Sequence, residues 1–416
     1  QRFVLPFHDQ QRDQYVRDSP LSPEVLAYYE AQLRADESLR SLLRQPFVLS
    51  LLVKVLPEFA KAQTESAALT KYAIYEAFVR GWFHREVTEK LKADQQKELA
   101  QYVPHSRGEW FSREPSKEGY QEPGNRLERS FHELAKAVAL GMFEEGTLLT
   151  DVMTRLPALN PSASQRVWRY LLQRVQSQEE EVLAEQAAFA AVESRALSET
   201  DRAKIQALRD HYLASFKRTS PLRCSAGQYG FLHKSFYEFF IAESIVDGCL
   251  SVAALSPTES TEERRTRFEA LREGLGFGAN TSPSRGRAIQ QEPEVVLFLR
   301  GFYRAKDAKA RTLASMLLEV IERSKGQPVY GRASANAATL LNALGVSLAH
   351  RDWQGVMLPG ADLRYGRLMG TDLRKADLAG VNLSHACLNG ARLEGAQLTG
   401  LRFGEWPKLD FEDRVG

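Results

Sequence analysis

The chain has 416 residues, enough for two to four domains, and its 43% hydrophobic and 26% charged content is that of a globular protein. A net charge of +2 excludes a global field that would draw the chain to nucleic acid or to an anionic membrane. Cys224, Cys249 and Cys387 are odd in number and far apart, which argues against a disulfide framework and for a reducing, cytoplasmic location.

No apolar run nears the ~18 residues of a membrane span, and no signal peptide is visible. The chain opens on Gln1 in mid-pattern and reads as a piece of a longer protein. Residues 1–68 read as helical. Pro6-Phe7 leads into a short helix over 9–17. Ser22-Pro23-Glu24 starts another, with serine as cap, proline in the first turn and an acid at the positive helix end. That helix runs through Leu26, Tyr29 and Leu33 to about residue 35. A further helix carries Leu39, Leu42 and Leu43 and stops before Pro46, where a buried helix opens on the proline.

Over residues 69–87, Tyr72, Tyr75, Val79, Trp82 and Phe83 recur at spacings of three and four, which predicts an amphipathic helix. Residues 102–127, punctuated by proline and glycine, read as a long loop. Helices are expected over 127–142 and 162–216, and a short hairpin over 223–232 around Gly227-Gln228. Ser235 and Glu238 then form a capping box, with Leu232, Phe236, Phe239 and Phe240 burying one face of the helix that follows. His233 stands just ahead of this helix, where backbone N–H groups favour an anion. Read alone, His233 is a helix-end histidine with a structural hydrogen bond, and Pro46 is a helix start. Residues 262–271 read as a charged helix and 276–286 as a loop. Residues 295–323 read as one or two helices with Leu297, Leu313, Met316, Leu317 and Ile321 on apolar faces.

From residue 346 to 403 a large apolar residue returns every five positions: Trp353, Leu358, Leu363, Leu368, Leu373, and so on to Leu398 and Phe403. Two places earlier sits a small residue, such as Ala361, Gly366, Thr371 or Ala376. Two places later sits a glycine, as at Gly355, Gly360, Gly370 and Gly380. On an α-helix five steps wind the leucines around all faces, and on a strand they alternate between faces. A coil with four flat sides, one per five residues, points every centre inward. The segments Ala361-Asp362-Leu363-Arg364-Tyr365, Ala376-Asp377-Leu378-Ala379-Gly380 and Ala391-Arg392-Leu393-Glu394-Gly395 resemble pentapeptide repeats. That resemblance implies a right-handed quadrilateral β-helix of about three coils. A short solenoid needs caps. The helix expected over 333–344 is the candidate for one end, and Trp406, Pro407, Leu409 and Phe411 for the other. Arg364, Arg367, Arg374, Lys375 and Arg392 form a candidate partner-binding face, with a solvated face as the plain alternative. Seven basic and five acidic side chains over 346–403 argue against an acidic, DNA-mimicking coil.

Four stretches in order resemble the NACHT class of STAND NTPases. Residues 3–15 are similar to the exit from the nucleotide-binding core, and Gln45-Pro46-Phe47-Val48-Leu49-Ser50-Leu51-Leu52 resembles the proline motif of the first helical domain. Leu69-x-x-Tyr72-x-x-Tyr75-x-x-Phe78-Val79-x-x-Trp82 resembles the helix entering the winged-helix domain. Phe231-Leu232-His233 through Glu238-Phe239 resembles that domain's end. The resemblance implies that Pro46 packs on adenine and His233 touches the β-phosphate of ADP, both favouring a closed, ADP-bound state. It also implies ATP/ADP with Mg²⁺ as ligand of the full-length protein, an upstream nucleotide-binding core as partner, a protein ligand at the coil, and homo-oligomers on activation. The 160–220 insertion departs from the compact pattern.

No Gly-x-x-x-x-Gly-Lys-Ser/Thr and no acidic Mg²⁺-binding strand occurs, so the chain itself is expected to hold no cofactor and not to hydrolyse ATP. Gly-x-Ser-x-Gly, His-Glu-x-x-His and paired cysteines at metal spacing are absent too, and no metal site is expected. The expected architecture is multidomain and mainly α. A helical domain (1–68) is followed by a winged-helix-like domain (69–247) with a helical insertion near 160–220. A helical spacer and coil cap (248–345) and the pentapeptide β-helix (346–416) complete it. The expected function is the regulatory and sensor part of a NACHT-type switch. The alternatives are a plain interaction scaffold and an enzyme hidden in 90–230.

Overall fold

The computed structural model describes residues 5–62, 69–92, 123–145, 148, 214–226, 228–254, 261–276 and 288–403. The expectations for residues 3–4, most of the 102–127 loop, the 162–213 helices, the 277–286 loop and the closing residues beyond 403 lie outside this set. The chain divides into two compact units, Gln1–Arg80 with Ser244–Gly416, and Gly81–Glu243. Helices dominate the described residues.

In the first unit, α1 (Asp9–Arg17), α2 (Pro23–Ala35), α3 (Glu37–Leu42) and α4 (Pro46–Ala62) appear where the caps and prolines place them. The Asp36 carboxylate accepts from the N–H groups of Ser38 and Leu39 at 2.8 and 3.3 Å and so starts α3. Val25, Tyr29 and Leu33 of α2 and Val48, Leu49, Leu51, Leu52, Val55 and Leu56 of α4 are buried.

Helix α5 (Lys71–Lys90) buries the expected face through Tyr72, Tyr75, Val79 and Phe83, but its first half is covered more widely than expected. Residues Thr70, Lys71, Tyr72, Ile74, Tyr75, Ala77, Phe78 and Val79 are buried, which leaves only a narrow stripe of half-buried Ala73 and Glu76 leading to exposed Arg80. The cause is a tertiary neighbour. Helix α9 (Pro293–Tyr303) packs on it, with Tyr75 edge-on to Phe298 at 4.8 Å and Tyr72 edge-on to Phe302 at 5.0 Å. The Lys71 ammonium pairs with Glu294 and lies 4.3 Å over the Phe298 ring. Gly301 leaves room there: a Cβ on it would stand 3.2 Å from the Tyr72 backbone nitrogen. Leu297, expected on an apolar face, is 42% exposed instead. It lies outside the stripe Val295, Phe298, Leu299 that the α5 contact selects.

The second unit contains the end of α5, helix α6 (Pro123–Glu145), a hairpin and the start of α7 (Lys234–Ala253). α6 begins at Pro123, inside the stretch expected as loop. Proline suits a first turn, whose N–H groups have no partner within the helix. Leu127, Phe131, Leu134, Ala135, Val138, Ala139 and Met142 form its buried stripe at helical spacing. Strands β1 (Leu222–Ser225) and β2 (Gln228–Phe231) pair antiparallel, from Leu222 opposite Phe231 to Ser225 opposite Gln228.

After α7 come α8 (Thr261–Gly276), α9, α10 (Ala308–Arg323) and α11 (Gly331–Ala343). The expected span 295–323 is thus two helices. Asp307 caps the second by accepting from the Ala310 N–H at 2.8 Å. α11 is buried nearly all round, and its alanines permit close approach to α8 and α10.

Residues 346–403 form a stack of turns. Isolated parallel bridges link residues twenty apart: Asp352 with Asp372, Met357 with Asp377, Asp362 with Asn382, Arg367 with Cys387, and onward to Asn382 with Arg402. Twenty residues are four pentapeptides, so equivalent pentapeptides lie above one another on four sides. No continuous strand forms among the described residues here; each pentapeptide contributes one bridged residue and then turns. The turn is of the type that needs a left-handed third residue. Gly355, Gly360, Gly370 and Gly380 take φ of 63–73° there. Trp353, Leu358, Leu363, Leu368 and Leu373 point inward and are buried, with Ala361, Thr371 and Ala376 beside them.

The first turn would expose a row of backbone groups. α11 and the residues before it cover that row. Thr339 accepts from the Asp362 N–H at 2.9 Å, Asn342 donates to the Arg364 carbonyl at 2.9 Å, the Ser334 hydroxyl donates to the Met357 carbonyl, and the Ser324 hydroxyl accepts from the Met357 N–H at 3.0 Å. The expected helical cap of this end is therefore present, starting two residues earlier than the sequence suggests.

Candidate functional site

His233 ends the hairpin and begins α7. The Leu232 N–H donates to the Pro221 carbonyl at 2.9 Å, which carries the hairpin pairing up to the helix. The His233 Nδ1 accepts from the Ser235 N–H at 3.2 Å and lies 2.5 Å from the Ser235 hydroxyl. His233, not Ser235, is therefore the residue that caps α7. The sequence rule for serine caps misplaced the helix start by two positions, because an imidazole nitrogen can accept as a hydroxyl does. Glu238, the other half of the expected box, is nearly buried and pairs with Lys234 at 2.8 Å. With Nδ1 accepting a backbone proton, the neutral ring carries its hydrogen on Nε2, a donor at the N-terminal end of a helix.

Pro46 sits at the start of α4, half-buried, with the Leu49 N–H donating to the Gln45 carbonyl at 3.0 Å. It belongs to the first unit and His233 to the second.

The five basic residues of the stack fall on three of its four sides. Arg364 lies on one, Arg367 on the next, and Arg374, Lys375 and Arg392 together on a third, where residues 371–375 stack beneath 391–395. Three of the arginines are held by aspartates. Arg364 grips Asp362 through Nε and a terminal nitrogen at 2.9 and 2.7 Å. Arg374 grips Asp372 in the same way at 2.9 and 2.7 Å, and Arg392 reaches Asp372 from the coil above at 2.9 Å. The Arg374 hydrogen bond, helped by the charge of Arg392, holds the Asp372 carboxyl down to about 2. Arg367 donates to the Gly345 carbonyl at 3.2 Å. Arg392 and Arg367 thus link neighbouring coils, while Arg364 and Arg374 hold the aspartates of their own pentapeptides.

Tyr365 and His385, twenty residues apart, occupy the turn position that most pentapeptides give to glycine. Both have φ of 59°, and their rings stack at 4.9 Å with planes 8° apart. The signal for this pair was present in the period: of the gaps in the glycine column at 350, 365, 375 and 385, the aromatic pair 365 and 385 stands one coil apart.

A part-buried histidine and a buried carboxylate in the helical parts carry no periodic signal. His132 of α6 lies 2.5 Å from Glu243 of α7, with Phe83 stacked on its ring at 5.6 Å and Phe240 edge-on at 5.5 Å. Burial pushes the Glu243 carboxyl up, but His132 and Lys136 outweigh it and hold the group below the usual range. Among the described residues no group of His, Cys, Asp and Glu is arranged to hold a metal ion, and no helix is long and apolar enough to cross a membrane.

The pentapeptide-repeat family, described as Pentapeptide repeats (8 copies), matches residues 376–405. The match falls on the upper part of the stack and agrees with the five-residue period of the sequence. A comparison with curated proteins returned no match.

Proposed function

We propose that the chain is an interaction module in which helices carry and cap a pentapeptide stack, and the stack docks a protein partner. The stack itself we read as a right-handed quadrilateral β-helix of about three coils. The supporting observation is the division of its side chains: leucines face inward and support the coil, while the outward positions vary freely in charge and size without disturbing it. A surface so decoupled from its core suits recognition. Photo-crosslinking tests this. A benzophenone side chain at positions 384 and 399 should give adducts with a discrete protein in the native host. No adduct from any outward position would refute the reading.

A second reading is the regulatory part of a NACHT-type STAND ATPase whose nucleotide-binding core lies upstream. It is favoured by the order of the four motifs and by the place of His233, between a hairpin and the N-terminal end of a helix, where backbone N–H groups favour an anion. In that reading Pro46 and His233 hold ADP in the full-length protein, and engagement of the stack releases them. His233→Ala in the full-length protein should lose ADP retention and raise signalling. Unchanged ADP retention, or no P-loop within ~300 residues upstream, roughly two domain lengths, would end it.

A further inference from the structure

We propose that the corner of the stack bearing Tyr365 and His385 is a docking surface for an acidic protein segment. The proposal deepens the interaction reading above and rests on it. Three independent features meet at this corner. The first is backbone conformation. A non-glycine residue in the left-handed region is strained, and Tyr365 and His385 both occupy it at φ 59° in a column where glycine is free to do so. Conformations of this kind persist where the side chain is used.

The second is exposed ring surface. Tyr365 is 72% exposed although its ring lies flat against His385, and Met369, on the next side around the corner, is 39% exposed. A tyrosine pre-set by stacking offers a large contact area with little rotamer freedom left to lose.

The third is charge. Over residues 346–403 the two sides meeting at this corner carry Arg364, Arg367 and Arg402 against Asp362, while the remaining two sides carry basic and acidic residues in equal number. The whole positive excess of the stack therefore lies beside the ring ladder. Arg364 and Arg367 are pre-oriented by Asp362 and by the Gly345 carbonyl, so they meet a carboxylate at little entropic cost. Nucleic acid fits less well. Backbone binding draws on about 6–10 phosphate contacts, and three arginines, two of them partly engaged, supply too few.

Fluorescence anisotropy on the full chain tests the proposal, with a labelled peptide of alternating glutamate and leucine as probe. A lysine–leucine peptide and a single-stranded oligonucleotide serve as counterparts. The variant Tyr365→Gly with His385→Gly keeps the turn, because glycine is the residue that conformation favours. It should bind the acidic peptide about tenfold more weakly. Lys375→Gly makes the same backbone change on another side and should leave binding within about twofold. Equal weakening by both variants overturns the proposal. So does tighter binding of the oligonucleotide or the basic peptide, or no binding of the acidic peptide. In each case crosslinks from the outward positions would still uphold the interaction reading, and their absence would remove it separately.

Discussion

In the stack, Leu373 finds its backbone partners close by and at a fixed interval: its carbonyl accepts from Ala376, and its N–H donates to Arg392 at 2.7 Å. At the head of α5, Lys71 is buried against Glu294, 223 residues on. One region repeats a local rule, and each coil repeats the bond pattern of the one before. The other depends on single pairs, each met once. Damage should therefore act differently. A lost pair in the helices removes something nothing else supplies, while a lost leucine in the stack is felt according to how many coils lie on either side.

The largest effect is expected at the His132–Glu243 pair. Glu243→Ala takes the carboxylate from the part-buried His132 ring, while Lys136 keeps Glu133 at 2.6 Å, at a cost of about 3–5 kcal/mol, read as a fall in the urea midpoint. The pair also gives a pH signature. The folded Glu243 lies below its ordinary value of 4.5, so its stabilisation is complete above the unfolded value and is lost as pH falls through the lowered folded value. Glu243→Gln should flatten that acid limb of stability against pH. An unchanged limb would show that Glu243 is no better stabilised in the folded chain than in the unfolded one.

Next comes a gradient along the stack. Leu373→Ala should cost roughly 2–5 kcal/mol, since the side chain is fully enclosed and the coils above and below prevent collapse. Leu398→Ala, at a position already 43% exposed, should cost less than about 1.5 kcal/mol. Equal costs at the two positions would contradict the picture of a stack that weakens toward its last coil.

These two regions also differ in how far they could be read in advance. Trp353 and the leucines to Phe403 were legible because each inward position repeats one requirement eleven times, so one exception cannot hide the period. α2 and α4 were legible for a similar reason: Pro23 and Pro46 act on residues next to them. The wide burial of the first half of α5 was not legible, because α9 supplies it from a distant part of the sequence. The exposure of Leu297 follows from the same contact. The cap on α7 was given to Ser235 because the rule names hydroxyl and carboxylate side chains, while the structural hydrogen bond expected of a helix-end His233 is the one that caps the helix. The face drawn through Arg364, Arg367, Arg374, Lys375 and Arg392 treated the stack as a ribbon. With four sides to a turn, neighbours in sequence are separated by a corner, and true neighbours are twenty apart.

A smaller loss is expected at the contact that set α5. Lys71→Met keeps an aliphatic body against Phe298 and removes the charge. Glu294 is partly solvated and can turn to water, so the cost should be about 1–2 kcal/mol, seen as a modest drop in Tm. A Glu294→Gln variant should lose less than Lys71→Met, because Lys71 would keep its place over the Phe298 ring. The reverse order would mean that the ion pair, not the ring contact, holds α5 to α9.

The smallest effect has the opposite sign and separates two causes that the turn positions otherwise mix. Lys375 has φ of 58°, in the column of Gly355 and Gly395. Lys375→Gly relieves roughly 1–2 kcal/mol of left-handed strain, while glycine's greater freedom in the unfolded chain takes back about 0.5–1 kcal/mol. A gain of up to about 1 kcal/mol should remain, measurable as a small rise in Tm. Tyr365→Gly gains the same relief but gives up a stacked ring contact of about 0.5–1.5 kcal/mol, so its net change should be near zero or a slight loss. The difference between the two variants isolates the Tyr365–His385 contact from the turn beneath it. If both gained equally, the rings would add nothing to the coil, and the left-handed tyrosine would be strain without a structural return.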